Sequence, residues 1–166
     1  IEERRPFGVI RVHENSLADV GCTAEIVAVT KRYDDGRVDI VTRGRERFEL
    51  LEVNQERAFL RGEILYVSDD PELPTAQERE RAVELHRQIL ALASAQQDLS
   101  DGNDPPLSYQ LAGSLPLDLD FKQQLLALRS EAQRIRAVIQ YFGKILPNLR
   151  RAVQVRQRAG GNGHAH

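Results

Sequence analysis

Few side chains in this 166-residue chain could carry chemistry. Cys22 is the only cysteine, and His13, His86, His164 and His166 are the histidines. His13 and Cys22 could meet as a base and a nucleophile, or supply half of a zinc site. A zinc site needs three or four ligands, and the other histidines are distant in sequence. Cys22, between Gly21 and Thr23 ahead of a strand, reads better as a small buried hydrophobe. His86 reads as a packing or surface residue of a helix, and His164 and His166 as weak metal binders without a role. Gly143-Lys144 is followed by Ile145, with no suitably placed glycine before it, so it is not a phosphate-binding loop. No nucleophile, base and orienting group emerge together, so no catalytic residue, cofactor or metal is expected.

Charge carries a sharper signal. Residues 1–121 hold 14 basic and 24 acidic side chains, whereas residues 122–166 hold 9 basic and a single acidic one, Glu131. Arg136, Lys144, Arg151 and Arg158 recur at seven or eight residues along the last helical segment, opposite its apolar stripe. A solvated face, or docking on the acidic half of the same chain, weighs more as the reading of this row. The alternative is a nucleic-acid-binding module, since a row of cations can track a phosphate backbone. Interleaved aromatics are lacking, which argues against stacking of single-stranded bases.

The composition, 41% hydrophobic and 29% charged, is that of an ordinary globular protein. One cysteine provides no disulfide framework, so a cytoplasmic setting is the expectation. The apolar runs are too short to span a bilayer, and no membrane partner is expected.

The elements that must position these residues change character near the middle. FGVIRV (7–12), TAEIVAVTKRY (23–33), GRVDIVTRGRERFELLEV (36–53) and RAFLRGEILYV (57–67) read as strands. Asp34-Asp35-Gly36 predicts a tight type I′ hairpin between the second and third, and Arg43-Gly44-Arg45 a bulge or bend. SDDPELP (68–74) marks a boundary. Thr75-Ala-Gln-Glu78 is a capping box opening a helix to about Gln97, with Val83, His86 or Leu85, Ile89, Leu90 and Ala93 inside. A short helix follows over about 107–113. Asp118 then caps a helix through Phe121, Leu125 and Leu128, and Ser130-Glu-Ala-Gln133 opens the last one. Its stripe, Ile135, Val138, Ile139, Phe142, Leu146, Leu149 and Val153, crosses Pro147 in phase, which predicts a continuous, kinked helix.

PFGVI, VGCTAEI (20–26) and RFELLEV, followed by LSYQLAGSLPLDLDFKQQLLALRSEAQRI, resemble the substrate-binding N-terminal domain of ATP-dependent Lon proteases over roughly residues 5–146. Stand-alone bacterial versions and the corresponding region of cereblon share this module. The resemblance implies an α+β fold: an antiparallel β pseudo-barrel of PUA-like type at 1–70, a helical bundle at 71–159, and a disordered tail at 160–166. It implies non-catalytic recognition of protein clients or peptide segments that are unfolded or expose hydrophobic residues. The ATPase and protease parts of a Lon enzyme, with any Ser–Lys dyad, have no counterpart here. The family normally opens with a Pro-rich pair of strands and a helix bearing an acid-Pro-Arg-Tyr motif, and its loop over 13–19 is longer. The strand-rich half is therefore expected to be incomplete at its start, with an open edge that self-associates or pairs elsewhere.

Overall fold

The first half alternates β-branched and polar residues, and its backbone groups are satisfied in ladders rather than helices. In a computed structural model that describes residues 6–54, 60–93, 99 and 105–161, six strands precede four helices. The strands are β1 (Phe7–Val9), β2 (Val12–His13), β3 (Ser16–Leu17), β4 (Val20–Arg32), β5 (Val38–Asn54) and β6 (Arg61–Val67). The antiparallel sheet has the order β1-β4-β5-β6, and β2 and β3 form a separate ribbon. The helices are α1 (Ala76–Leu92), α2 (Leu107–Gly113), α3 (Leu119–Ala127) and α4 (Glu131–Gly161). The chain divides into two compact units between Ser68 and Asp69.

Turn chemistry differs from the expectation at one point. The type I′ turn is at Glu14-Asn15, where both residues have positive φ (47° and 66°), and it joins β2 to β3. Between β4 and β5 only Gly36 has positive φ, at 88°. There the Gly36 N–H donates to the Tyr33 carbonyl and the Tyr33 N–H to the Arg37 carbonyl. That is a three-residue loop in which glycine takes the left-handed position after a right-handed turn. The run 7–12 is broken into β1 and β2, and the start of the 57–67 run falls partly outside the described residues.

The predicted bulge is present just past Gly44. Cys22 pairs with Arg47 and Ala24 with Gly44, so one extra residue sits on β5. Thr23, between those two, plugs the gap: its Oγ1 donates to the Glu46 carbonyl and accepts from the Glu46 N–H. The small core of the sheet unit is built around Phe48, 3% exposed, with Val20 and Ala24. Its ring lies over Gly21, its partner on β4, and over Gly8 on β1. A Cβ on Gly21 would stand 2.5 Å from Phe48 Cζ and 2.7 Å from the Val9 carbonyl oxygen.

The helical unit has the larger core. Ala82, Leu85, Ile89, Leu111, Leu125, Ile135, Val138 and Phe142 are among its buried residues. Thr75 and Glu78 form the capping box of α1, and the Asp118 carboxylate accepts from the Phe121 N–H at the start of α3. Ser130 Oγ accepts from the Gln133 N–H, but the Gln133 side chain reaches back to the Arg129 N–H, one residue earlier than a standard box. α4 runs unbroken through Pro147.

Register on α1 is shifted from the expectation. Ala82 is fully buried, whereas Val83 is half-buried and Ala93 exposed. On α4 the stripe is buried as far as Leu146. Leu149 is 37% exposed and Val153 half-buried. Leu128 is half-buried at the end of α3. Gly160 and Gly161, assigned from sequence to the tail, continue the helical ladder of α4; residues 162–166 lie outside the described residues.

His86 is 2% exposed, its ring stacked on Phe142 with centroids 6.2 Å apart. The Ser114 hydroxyl donates to the Leu111 carbonyl at 2.8 Å, which leaves Ser114 Oγ to accept from His86 Nε2–H at 2.6 Å. Burial holds the His86 pKa below its ordinary value.

Two outcomes follow from this packing. Protonation of His86 is disfavoured in the fold, so the unfolded chain takes up protons first as pH falls. Stability is therefore full above about pH 6.5, where an unfolded histidine is neutral, and declines as pH falls toward the depressed folded value. Urea titrations between pH 7.5 and pH 5 should show this decline in the parent and a smaller one in His86→Leu; equal slopes would contradict it. Gly21→Ala should cost about 1–3 kcal/mol through overpacking against Phe48 and the β1 backbone. Gly21→Ala melting with the parent would show that the ring is not held there.

Candidate polypeptide-binding surface

Large apolar side chains are distributed unevenly. Eleven of the fifteen exposed ones among the described residues lie before Ser68, so they gather on the sheet unit more than on the helical bundle. β6 is the clearest case. Tyr66 pairs across from Phe48 and Leu65 from Glu49, so the two side chains point to opposite faces of the sheet. Both are more than half exposed, at 54% and 57%. Leu51, on the β5 residue bulged out of register with β6, is 64% exposed, and Leu60 just before β6 is 65% exposed. β6 closes one side of the sheet, and its outer edge pairs with no strand among the described residues. β1 ends the other side, with Phe7 and Val9 exposed. Neither edge strand holds a proline or lysine, the residues that commonly blunt such edges.

The helical unit is held by one buried cation. Arg134 is fully buried on α4. Its guanidinium donates to Asp69 through Nη1 (2.8 Å) and Nη2 (2.5 Å), a bidentate pair. It also donates to Glu131, to the Ser108 hydroxyl and to the Leu128 carbonyl, and it stacks over Tyr109 at 4.8 Å. Burial works against the charge of Arg134, but the hydrogen bonds and charge of Asp69, with help from Tyr109 and Glu131, hold its pKa above the ordinary value. The segment after the sheet is thereby stitched to the start of α4. Asp70 N–H donates to the Arg129 carbonyl, Ala132 N–H to the Glu72 carbonyl, and Ser130 Oγ to Glu72. Asp69, Asp70 and Glu72 thus belong to the helical unit.

The four residues of the predicted basic row have different environments. Arg136 is taken up by Glu72 (2.8 Å) and Glu78 (2.7 Å). Its hydrogen bond to Glu78 raises the Arg136 pKa and lowers that of Glu78. Lys144, Arg151 and Arg158 are exposed on α4. Cys22 is half-buried, its Sγ donating to the Thr23 carbonyl, and His13 is exposed on β2. Among the described residues no three His, Cys, Asp or Glu side chains are placed to hold a metal ion. His164 and His166 lie outside the described residues.

Sequence reasoning missed Arg134 and the exposed pair on β6. The signal for Arg134 was available: it stands four residues before Val138, on the inward side of an otherwise apolar stripe, where a cation needs carboxylates. Of the two acids that serve it, Asp69 lies in the boundary segment 68–74 and Glu131 in the capping-box sequence that opens α4, so neither stands out as its partner.

A family model for the substrate-binding domain of ATP-dependent protease La (LON) matches residues 3–143. The chain belongs to that family. Among solved structures, a Lon N-terminal domain protein from Xanthomonas campestris is 20% identical. That match covers 82% of this chain and 76% of the other, with a TM-score of 0.61. The N-terminal domain of the Mycobacterium avium complex Lon protease is 21% identical over 82% and 77% of the two chains, with a TM-score of 0.56. Both share the α+β fold. No curated protein matches. The matched region of the Lon family is its non-catalytic substrate-binding domain, which supports a substrate-recognition role.

Arg134→Met should destabilise the helical unit by about 3–5 kcal/mol, because it leaves Asp69 and Glu131 facing each other without their cation. Asp69→Asn should cost less, about 1.5–3 kcal/mol, since Glu131 remains. Thermal melts followed by circular dichroism check the order. Arg134→Met melting within a degree of the parent would show the cluster to be dispensable.

Proposed function

We propose that this chain recognises polypeptide segments that are unfolded or carry exposed large apolar residues, with no chemistry of its own. The observation that carries this reading is the strand β6, uncovered on both faces at Leu65 and Tyr66 and unpaired along its outer edge among the described residues. An extended segment can add to such an edge through main-chain hydrogen bonds, which are independent of client sequence. Its alternate side chains then meet the apolar residues on either face, so selectivity is for apolar character rather than for one motif. Membership of a substrate-binding family agrees with this use. The same edge is where two copies could associate, so self-association competes with clients.

The reading is tested by titrating the chain with a permanently unfolded, carboxymethylated protein and, separately, with the same protein in its folded state. Binding should be selective for the unfolded form and little changed by salt, as apolar contact and main-chain pairing are weakly screened. Leu65→Asp with Tyr66→Asp should weaken it at least about tenfold, or 1.4 kcal/mol. Equal affinity for the folded protein, or no effect of the double change, would contradict the reading.

A further inference from the structure

We propose that the outer face of α4 over Lys144, Arg151 and Arg158 binds the phosphate backbone of a nucleic-acid duplex, a function separate from client recognition on the sheet. From Ala132 to Gly161 α4 contains no acidic residue. Its cations nonetheless have two fates. Arg134 and Arg136 are neutralised by Asp69, Glu72, Glu78 and Glu131. Beyond Gly143 the same helix bears Lys144, Arg150, Arg151, Arg156 and Arg158. Among the described residues Arg150 bonds only the neutral Gln88, and none of the five has an acidic partner. Docking on the acidic half of its own chain accounts for the first group and not for the second.

Geometry gathers three of these side chains. A seven-residue step advances an α-helix by almost two turns, so Lys144, Arg151 and Arg158 form a row drifting only about 20° per step. The row extends about 21 Å along the axis, at 1.5 Å per residue. Helix-dipole stabilisation of cations acts within the last turn and so reaches Arg158 but not Lys144 or Arg151. The three are exposed and hold up no part of the fold.

The partner is chosen by what surrounds the row. An acidic protein would need apolar surface to make a stable interface, typically about 1,000 Å² or more in total. The row offers it only Val155, since Leu149 and Val153 belong to the opposite, inward stripe. Exposed ion pairs between side chains contribute about 0–1 kcal/mol each, too little to stand in for that surface. A duplex supplies charge at about one per 1.7 Å and releases counterions for each cation that docks. The lack of aromatic side chains on α4 beyond Phe142 favours a paired backbone over stacked single-stranded bases.

The test uses the whole chain and a fluorescent DNA duplex of about 20 base pairs, followed by anisotropy at salt from about 50 to 200 mM. With three phosphate contacts the affinity should fall about 40-fold across that range, a log–log slope near −2.7. Lys144→Gln, Arg151→Gln and Arg158→Gln together should reduce affinity at least about tenfold at low salt and flatten the slope. Their melting temperature and their binding of unfolded protein should be unchanged, while Arg79→Gln with Arg81→Gln on α1 should leave duplex binding intact. No binding at about 50 mM salt, or equal binding by the triple variant, would overturn the proposal. Polyglutamate of matched charge displacing the duplex at equal concentration would also overturn it, by showing a surface that does not distinguish phosphates from carboxylates.

Discussion

The buried guanidinium of Arg134 is the constraint on which the helical unit depends. A cation removed from water is tolerated only when its donors are met, and here they are met from several places at once. Asp69 comes from the segment after the sheet, Ser108 from α2, the Leu128 carbonyl from the end of α3, and Glu131 from α4 itself. No single one of these can move far without leaving charge unpaired in the interior. The cluster therefore fixes the entry into α1, the tight turn between α3 and α4, and the seat of α2. Phe142, Leu125 and Leu111 belong to the buried apolar cluster, but apolar packing does not by itself select one arrangement.

The sheet unit is built on the opposite principle. Its core is small, with Phe48 lying over two glycines, and Val20 and Ala24 completing it. Long strands twisted by bulges then carry apolar residues outward. β4 and β5 pair beyond the reach of β1 and β6, so Val27, Ile40 and Val41 are exposed on a two-stranded arm. Such a surface gives up internal burial and keeps main-chain edges and apolar side chains available. The proposed recognition of apolar segments draws on that combination.

How much of this was legible in the sequence depended on whether the signal was local. Thr75 with Glu78, Asp118 before Phe121 and the bulge at Gly44 are determined by residues within a few positions, and each was read correctly. The turn at Asp34-Asp35-Gly36 was misassigned because an Asp-Gly pair also serves the longer loop seen here, while the positive φ pair fell at Glu14-Asn15, a pair with weaker turn preference. The inward register of α1 was off at Val83 and Ala93, because which of two adjacent apolar residues turns inward is decided by the facing helix. Arg134 and Arg136 stand two residues apart on different faces of α4, and only tertiary contacts tell the buried hub from the surface pair. The basic row likewise divided once the partners of its members were known.

The proposed recognition of polypeptide by the sheet unit can be tested amide by amide. Hydrogen exchange of the chain, free and saturated with the unfolded protein, should show added protection at Arg61–Val67 and Phe7–Val9 and none along Ala76–Leu92 or Glu131–Leu146. Protection confined to the helices, with β1 and β6 exchanging as in the free chain, would contradict a client site on the sheet.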